Sequence, residues 1–448
     1  MIVDLVLTNM RAYVNNEIID CSLAVNNGKI FKISKEATMP KAETKLDLEN
    51  MLVLPGLIDV HVHLRNEGKA YKEDFTSGTS AAAAGGITTV LDMPNNEPVT
   101  MSAETLRNRM KKAEKKVLVN VGFYSEFPKN MQEVATIVKE GAVAFKLFMA
   151  NQVGELNIED DNAILEAFRI LSKLKTLAAV HAEDRLTLRR NEEKLKRANR
   201  HDIEAFLMAH SENVETKAIK RILNIVKQTQ THVHFCHMST KNGLNMVIDG
   251  KKSGLPITCE ATPHHLLLSV EDFRRKGTLA LTMPPLRQKH HVTALWRAIK
   301  EGWIDIFSSD HAPHAVEEKS AENIWAVKVG IPNLETTLPL LLREVKCGCL
   351  SIGNIVRLMA EKPAELFKLK GKGFLKKGND ADLTVVDLKR KHKIDATKFY
   401  SKAKYSPFDQ WIVEGKPVKT FVNGTLIMDE GEIVAKAGCG KIIRRKQP

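Results

Sequence analysis

The sequence predicts an α/β protein, a (β/α)8 barrel joined to a small β-sandwich domain formed from both termini. Three observations carry the prediction. Between residues 53 and 367, apolar strand-like runs alternate with amphipathic helical stretches, and there are eight such runs. Both ends of the chain instead alternate apolar and polar residues in short segments broken by Gly and Asn. A doubly wound sheet is the alternative, but no Gly-x-Gly-x-x-Gly follows the first run. Gly85-Gly86 precedes a strand instead.

Taken in order, residues 4–14, 21–34 and 45–56 read as strands, with Asn26-Asn27-Gly28 and Pro55-Gly56 as turns. Residues 380–388, 417–429 and 432–438 read the same way, and VNGTLI (422–427) resembles VNNGKI (25–30). One composite β domain is therefore expected from residues 1–52 and 368–448, with its joins near Pro55-Gly56 and Gly371–Gly378. The eight central runs cover 53–64, 86–93, 117–125, 142–150, 177–184, 232–239, 255–263 and 303–311. Their alternation with helical stretches implies parallel strands with crossover helices.

Composition narrows the class. The chain of 448 residues is 43% hydrophobic and 27% charged, which excludes disordered, collagen-like and disulfide-stapled chains. Six cysteines show no CxxC spacing and read as free thiols of a reducing cytoplasm. No apolar run reaches the ~18 residues that span a bilayer, and the N-terminus has Asp4 and no basic leader, so neither a membrane nor a signal peptide is expected. The net charge is +13, but Lys and Arg are dispersed, as in 107–116 and 192–200. With five Tyr and no nucleic-acid module, the excess reads as solubility and as a field for a small anion, not as a nucleic-acid surface.

Polar residues gather at the C-terminal ends of the predicted strands, where barrel active sites lie. The first central strand ends in His61-Val62-His63, and residues two apart share a face, so both imidazoles can reach one ion. Arg65 has the same parity. The fourth run carries Lys146, the fifth His181, the sixth His237, and the last Asp310, His311 and His314. Taken singly, each reads as a packing residue; at successive strand ends, four His and one Asp make a metal-ligand set. His232 and His234 are out of phase with His237, so they are expected to face the helices or to sit before the strand, and they are excluded as ligands. His201 and His210 read as helical surface or packing residues, and His290 and His291 as a basic loop. His264 and His265 lie near the mouth with no assigned role.

DVHVHLR (59–65), GTSAAAAGGITTVLDMPN (78–95), FKLFMAN (145–151), SSDHAPH (308–314) and DADLTVVD (380–387) resemble the cyclic amidohydrolases of the amidohydrolase superfamily, dihydroorotases of the larger type most of all. The resemblance runs to about residue 430. It implies two Zn2+ per chain, one on His61, His63 and Asp310 and one on His181 and His237, bridged by carboxylated Lys146 and a hydroxide. A carbamate makes sense of the lysine, because the neutral amine reacts with carbon dioxide and the product is an anion. The implied activity is the reversible cyclisation of N-carbamoyl-L-aspartate to L-dihydroorotate in de novo pyrimidine (UMP) biosynthesis. Asp310 would carry the proton, and Arg65, Asn95 and His314 would take the substrate carboxylate. The family also allows a homo-oligomer or association with an aspartate transcarbamoylase. Rival readings are a dihydropyrimidinase/hydantoinase, an allantoinase, or a non-catalytic dihydroorotase-like scaffold. Hydantoinases lack the arginine of HLR, and scaffolds lose metal ligands. Two departures stand out: HLRNEG (63–68) where the family has HLREPG, and Thr282-Met283 where it often has an asparagine before PPLR.

Overall fold

A computed structural model describes residues 2–445. Strands β1 (Ile2–Val14), β2 (Glu17–Asn26), β3 (Lys29–Ser34) and β4 (Lys41–Pro55) come first. Eight short strands follow: β5 (Leu57–Val62), β6 (Ile87–Asp92), β7 (Asn120–Phe123), β8 (Phe145–Phe148), β9 (Ala178–His181), β10 (Val233–Phe235), β11 (Ile257–Ala261) and β12 (Ile306–Phe307). Beyond them come β13 (Leu383–Lys393), β14 (Ile412–Val422), β15 (Thr425–Asp429), β16 (Glu432–Ile433) and β17 (Ile442–Ile443).

The eight central runs all form parallel strands. β5–β7 pair in one set and β8–β12 in another. Two single parallel bridges join the sets into a closed barrel, Ser125 with Phe145 and Val62 with His311. The strands are fully buried and short, so they read as continuous apolar runs and not as alternation. Helices cover the outside. Ala103–Glu114 is typical: Ser102 caps it, and Leu106, Arg109, Met110 and Ala113 form its buried stripe.

The terminal strands form one eight-stranded sheet in the order β16-β15-β14-β13-β4-β1-β2-β3. β4 lies between β1, which it meets parallel, and β13, which it meets antiparallel, so the two ends of the chain meet on one strand. This sheet has a core of its own, including Leu7, Leu23, Val53, Leu383 and Phe421. β17 leaves it and pairs parallel with β7 of the barrel.

Asp382 of the DADLTVVD segment joins sheet to barrel. Its carbonyl accepts from Gly56 N (2.8 Å) at the β4–β5 turn. Its carboxylate accepts from Asn120 Nδ2 (3.0 Å) at the foot of β7, from Asn423 N (2.7 Å) and from Lys372 Nζ (2.6 Å). A Cβ on Gly56 would stand 2.4 Å from Thr88 Oγ1 and 2.6 Å from Asp382 Cβ, so only glycine lets the chain turn there.

One buried ion pair fixes the loop that leaves β5. Arg109 Nε donates to Asp92 Oδ2 (2.9 Å), and Asp92 Oδ1 accepts from Leu64 N (2.9 Å), between His63 and Arg65. The guanidinium also stacks 4.9 Å from the Phe75 ring. Removing one partner of a buried pair strands the other charge, so Arg109→Met is expected to lower the unfolding free energy by about 3–5 kcal/mol. Arg107→Met on the same helix breaks only the exposed pair with Glu140 and is expected to cost less than about 1 kcal/mol. Urea denaturation of both variants checks the contrast.

Candidate metal centre and substrate cavity

The C-terminal ends of the barrel strands enclose a cavity of about 210 Å³. His61, His63, Arg65, Asn95, His181, His237, Asp310 and His314 all line it, so eight of the nine residues singled out in the sequence meet there. The ninth, Lys146, lies buried beneath, with Nζ 3.5 Å from His61 Nε2. Larger depressions between surface helices, of about 700 and 590 Å³, are lined by lysines and bring together no such set. Among the described residues, groups close enough to share a metal ion occur only around His61: with His63 and Asp310, and with Cys236 and Glu260.

β5 supplies the first pair. His61 Nε2 lies 3.3 Å and His63 Nε2 3.4 Å from Asp310 Oδ1. Their other ring nitrogens are engaged from behind: His61 Nδ1 with Glu260 Oε1 (2.5 Å) and His63 Nδ1 with Asn95 Oδ1 (2.7 Å). Each Nδ1–H therefore donates to an oxygen, leaving each Nε2 lone pair aimed at the cavity. β9 supplies His181, whose Nδ1 lies 3.0 Å from His237 Nε2 and whose Nε2 meets Glu183 Oε2 (2.9 Å). The other Glu183 oxygen meets His210 Nδ1 (2.7 Å). Burial opposes ionisation of Glu183, but His210 and His181 outweigh it and hold the carboxylate well below its usual range.

Burial pushes the His61, His63 and His237 imidazoles below their ordinary value, helped by Lys146 at His61, Arg65 at His63 and His181 at His237. Neutral imidazole is the ligand form. Burial raises the Asp310 carboxyl, while His61 and Lys146 pull it down. Four imidazoles with lone pairs converging, one carboxylate and one buried lysine fit a divalent-metal centre of nitrogen and oxygen ligands. His237 Nδ1 is buried without a partner, so this ring has no second group fixing it as the others have.

The structure corrects the parity argument for the sixth strand. β10 ends at Phe235, and His237 lies past it with φ +33. Inward-facing residues are His234, which meets Glu260 Oε2 (3.1 Å), and Cys236, which accepts from Lys146 Nζ (2.9 Å). His237 reaches the mouth because its backbone turns over, not because it shares the strand's inward parity. Asp310 (φ +46) and Arg65 (φ +58) lie in the same left-handed region. Non-glycine residues there are strained, and such strain collects at functional sites.

Of the two readings for His210, surface or packing, the structure shows packing, with the ring buried against Glu183; His290 and His291 lie in the helix Lys289–Lys300 and not in a loop. His264 is buried against Asn333 Nδ2 (3.1 Å), and His265 against Thr262 Oγ1 (2.8 Å) and Pro284 O (3.2 Å). Sequence reading missed Glu183, Cys236, Glu260 and Lys72 altogether. Glu183 and Glu260 were legible as carboxylates at strand ends, but nothing local showed which histidine each would meet.

On the substrate side, Arg65 is buried and its Nε has no partner; Nη2 lies 3.4 Å from His314 Nε2. His314 is held by Lys72 Nζ at Nδ1 (3.0 Å) and donates from Nε2 to Val329 O (2.9 Å). Asn95 turns its oxygen to His63, which leaves its amide N–H groups for the cavity. Phe148, Met283 and Lys328 complete the walls.

Residues 52–427 match the model of the amidohydrolase family. The chain is 38% identical over 440 residues to a dihydroorotase of Methanothermobacter thermautotrophicus, covering 97% of this chain and 96% of that protein. It is 36% identical over 447 residues to a dihydroorotase of Pyrococcus horikoshii, covering 99% and 96%. Among solved structures, an L-hydantoinase (dihydropyrimidinase) from Arthrobacter aurescens superposes with a TM-score of 0.95 at 31% identity, covering 99% of this chain and 100% of that one. The chain belongs to the amidohydrolase family, whose members are generally metal-dependent.

If Glu183 fixes His181 as a ligand, Glu183→Gln is expected to weaken metal retention by about 10–100-fold. Competition against a chelator, read by metal analysis, checks this; unchanged retention would remove Glu183 from the centre.

Proposed function

We propose that this protein is a metal-dependent dihydroorotase, a cyclic amide hydrolase that interconverts L-dihydroorotate and N-carbamoyl-L-aspartate in de novo pyrimidine biosynthesis. The observation that carries the reading is Arg65: a buried guanidinium with an unpartnered Nε at the wall of a cavity rimmed by ligand histidines. A buried donor without an acceptor is costly unless a ligand supplies one, and a carboxylate fits the fork of arginine. Dihydroorotate carries that carboxylate; hydantoin does not. Relatives named dihydroorotase at 34–38% identity over nearly the whole chain support the same choice.

In this reading His61, His63 and Asp310 would hold one metal and His181 and His237 a second, with carboxylated Lys146 supplying an anionic ligand to both. Zinc suits this donor set. When bound, the metals activate water and polarise the ring carbonyl to be attacked. Asp310 accepts the proton of the attacking water and delivers it to the ring nitrogen as the C4–N3 amide bond breaks, so the product is the carbamoyl group and a new carboxylate. In the synthetic direction the same carboxylate works in reverse. Arg65, the Asn95 amide and His314 orient the substrate carboxylate. All of these residues fall within 53–367, which we take as the catalytic unit, with 1–52 and 368–448 as its scaffold. Six free thiols accord with a cytoplasmic location. Among the described residues, no helix is long and apolar enough to cross a membrane.

A hydantoinase reading has in its favour the 0.95 TM-score to the L-hydantoinase and a 32% identity over 450 residues to an L-hydantoinase of Paenarthrobacter aurescens. Assays of L-dihydroorotate, hydantoin and allantoin side by side separate the two; turnover of hydantoin without dihydroorotate would refute our choice. Asp310→Ala is expected to abolish turnover while leaving the circular dichroism spectrum intact. Arg65→Met is expected to reduce kcat/KM on dihydroorotate on the order of 100-fold, because it removes a buried charge partner of the substrate. Mass spectrometry of the intact protein, prepared with and without bicarbonate, tests Lys146 for a carbon dioxide adduct.

A further inference from the structure

Lys319 takes no part in the reaction described above, yet it is one of the most buried cations of the molecule, at 1% exposure. Among the described residues no carboxylate lies within 4.0 Å of it. Its sequence neighbour Glu318 pairs instead with Lys72 (2.7 Å). The ammonium of Lys319 donates to three main-chain carbonyls: Leu281 O (3.1 Å), Lys328 O (2.9 Å) and Gly330 O (3.0 Å). Three N–H donors of the ammonium thus meet three acceptors, which compensates part of the cost of burying it; burial still pushes the lysine down to about 7.

These carbonyls belong to two different walls of the cavity. Leu281 leads into Thr282 and Met283, and Met283 lines the cavity; Lys328, Val329 and Gly330 line it from another side. On the second wall, successive carbonyls meet different partners. Those of Lys328 and Gly330 turn to Lys319, while Val329 O turns the other way and accepts from His314 Nε2 (2.9 Å). Gly330 N also donates to Leu281 O (2.9 Å), and Tyr405 Oη donates to Gly330 O (3.2 Å). Gly330 has φ +131, and a Cβ there would stand 2.4 Å from Ala312 O, so the backbone itself has little freedom to substitute for this anchoring.

We propose that Lys319 is the positioning residue of the substrate cavity: by gathering Leu281, Lys328 and Gly330 it fixes the Val329 carbonyl, and through it His314 beside Arg65. It should therefore govern substrate affinity and leave the metal centre and turnover largely alone. This rests on the dihydroorotase reading for the identity of the substrate, not for the anchoring itself.

The test uses the full-length, metal-loaded enzyme with Lys319→Met and Lys319→Gln. Lys319→Met fills similar space but donates nothing. It is expected to raise KM for L-dihydroorotate about 10-fold or more with kcat within about 3-fold. Metal content should stay at the wild-type value. Amide exchange should speed up in peptides covering 279–285 and 326–332 and nowhere else. Lys319→Gln retains two N–H donors and is expected to fall between wild type and Lys319→Met in both readouts, which keeps the test alive if Lys319→Met does not fold. Unchanged KM and unchanged local exchange in Lys319→Gln and Lys319→Met would overturn the proposal. So would a uniform rise in exchange with a fall in kcat alone, which would make Lys319 a general stabilising residue. If the wild-type enzyme turns over hydantoin and not dihydroorotate, the functional reading fails, while the exchange measurements still decide for or against Lys319.

Discussion

Glu260 ties together three parts of the site from the centre of the barrel. One carboxylate oxygen meets His61 Nδ1 at 2.5 Å and His237 N at 3.0 Å; the other meets His234 Nε2 at 3.1 Å. A side chain on β11 thereby fixes the tautomer of a ligand on β5 and the backbone of the turn after β10. Burial opposes its ionisation, but His61 and His234 hold it well below the usual carboxylate range. Without that anion the His61 lone pair would have no reason to face the cavity, and the left-handed turn at His237 would lose an acceptor. Closure of the barrel and assembly of the metal centre are in this sense one event.

The pattern repeats around the rim with different partners. Asn95 does for His63 what Glu260 does for His61, and Glu183 does it for His181 with His210 behind it. The anions Glu260 and Glu183 sit behind the imidazoles, while the cations Arg65 and Lys328 line the cavity and Lys72 backs His314. An anionic substrate thus meets cations and the faces of neutral rings. The +13 net charge adds a diffuse field, but the selectivity belongs to the few cations placed at the cavity wall.

Much of this was legible in the sequence because a barrel turns strand order into spatial proximity. His61, His63, His181, His237 and Asp310 lie toward the ends of apolar runs, which a closed parallel barrel brings to one rim, and Lys146 lies within such a run just beneath them. The interleaving of the two chain ends on β4 was legible too, from alternation at both termini. What sequence could not show is backbone handedness. At His237 the strand stops two residues early and φ turns positive, so period-two counting beyond Phe235 gave the wrong face for His234. Long-range pairing was equally hidden: Lys319 with Leu281, or Asp382 with Asn120, is set by tertiary packing across tens to hundreds of residues.

The two departures from the family pattern lead to different conclusions. In the loop after Arg65, Asn66 and Glu67 replace the usual pair, yet the backbone one residue before Arg65 is held by Asp92, which Arg109 in turn fixes. Arg65 therefore keeps its place without help from the altered residues. Met283 is another matter, since its side chain faces the cavity where an amide often stands, and it offers the substrate ring no hydrogen bond. The main chain on that side is tied internally: Gly330 N donates to Leu281 O, and the Leu281, Lys328 and Gly330 carbonyls all accept from Lys319. With a thioether and no amide at position 283, the shape of that wall rests on the main chain, and one buried lysine gathers it through three carbonyls from two separate segments.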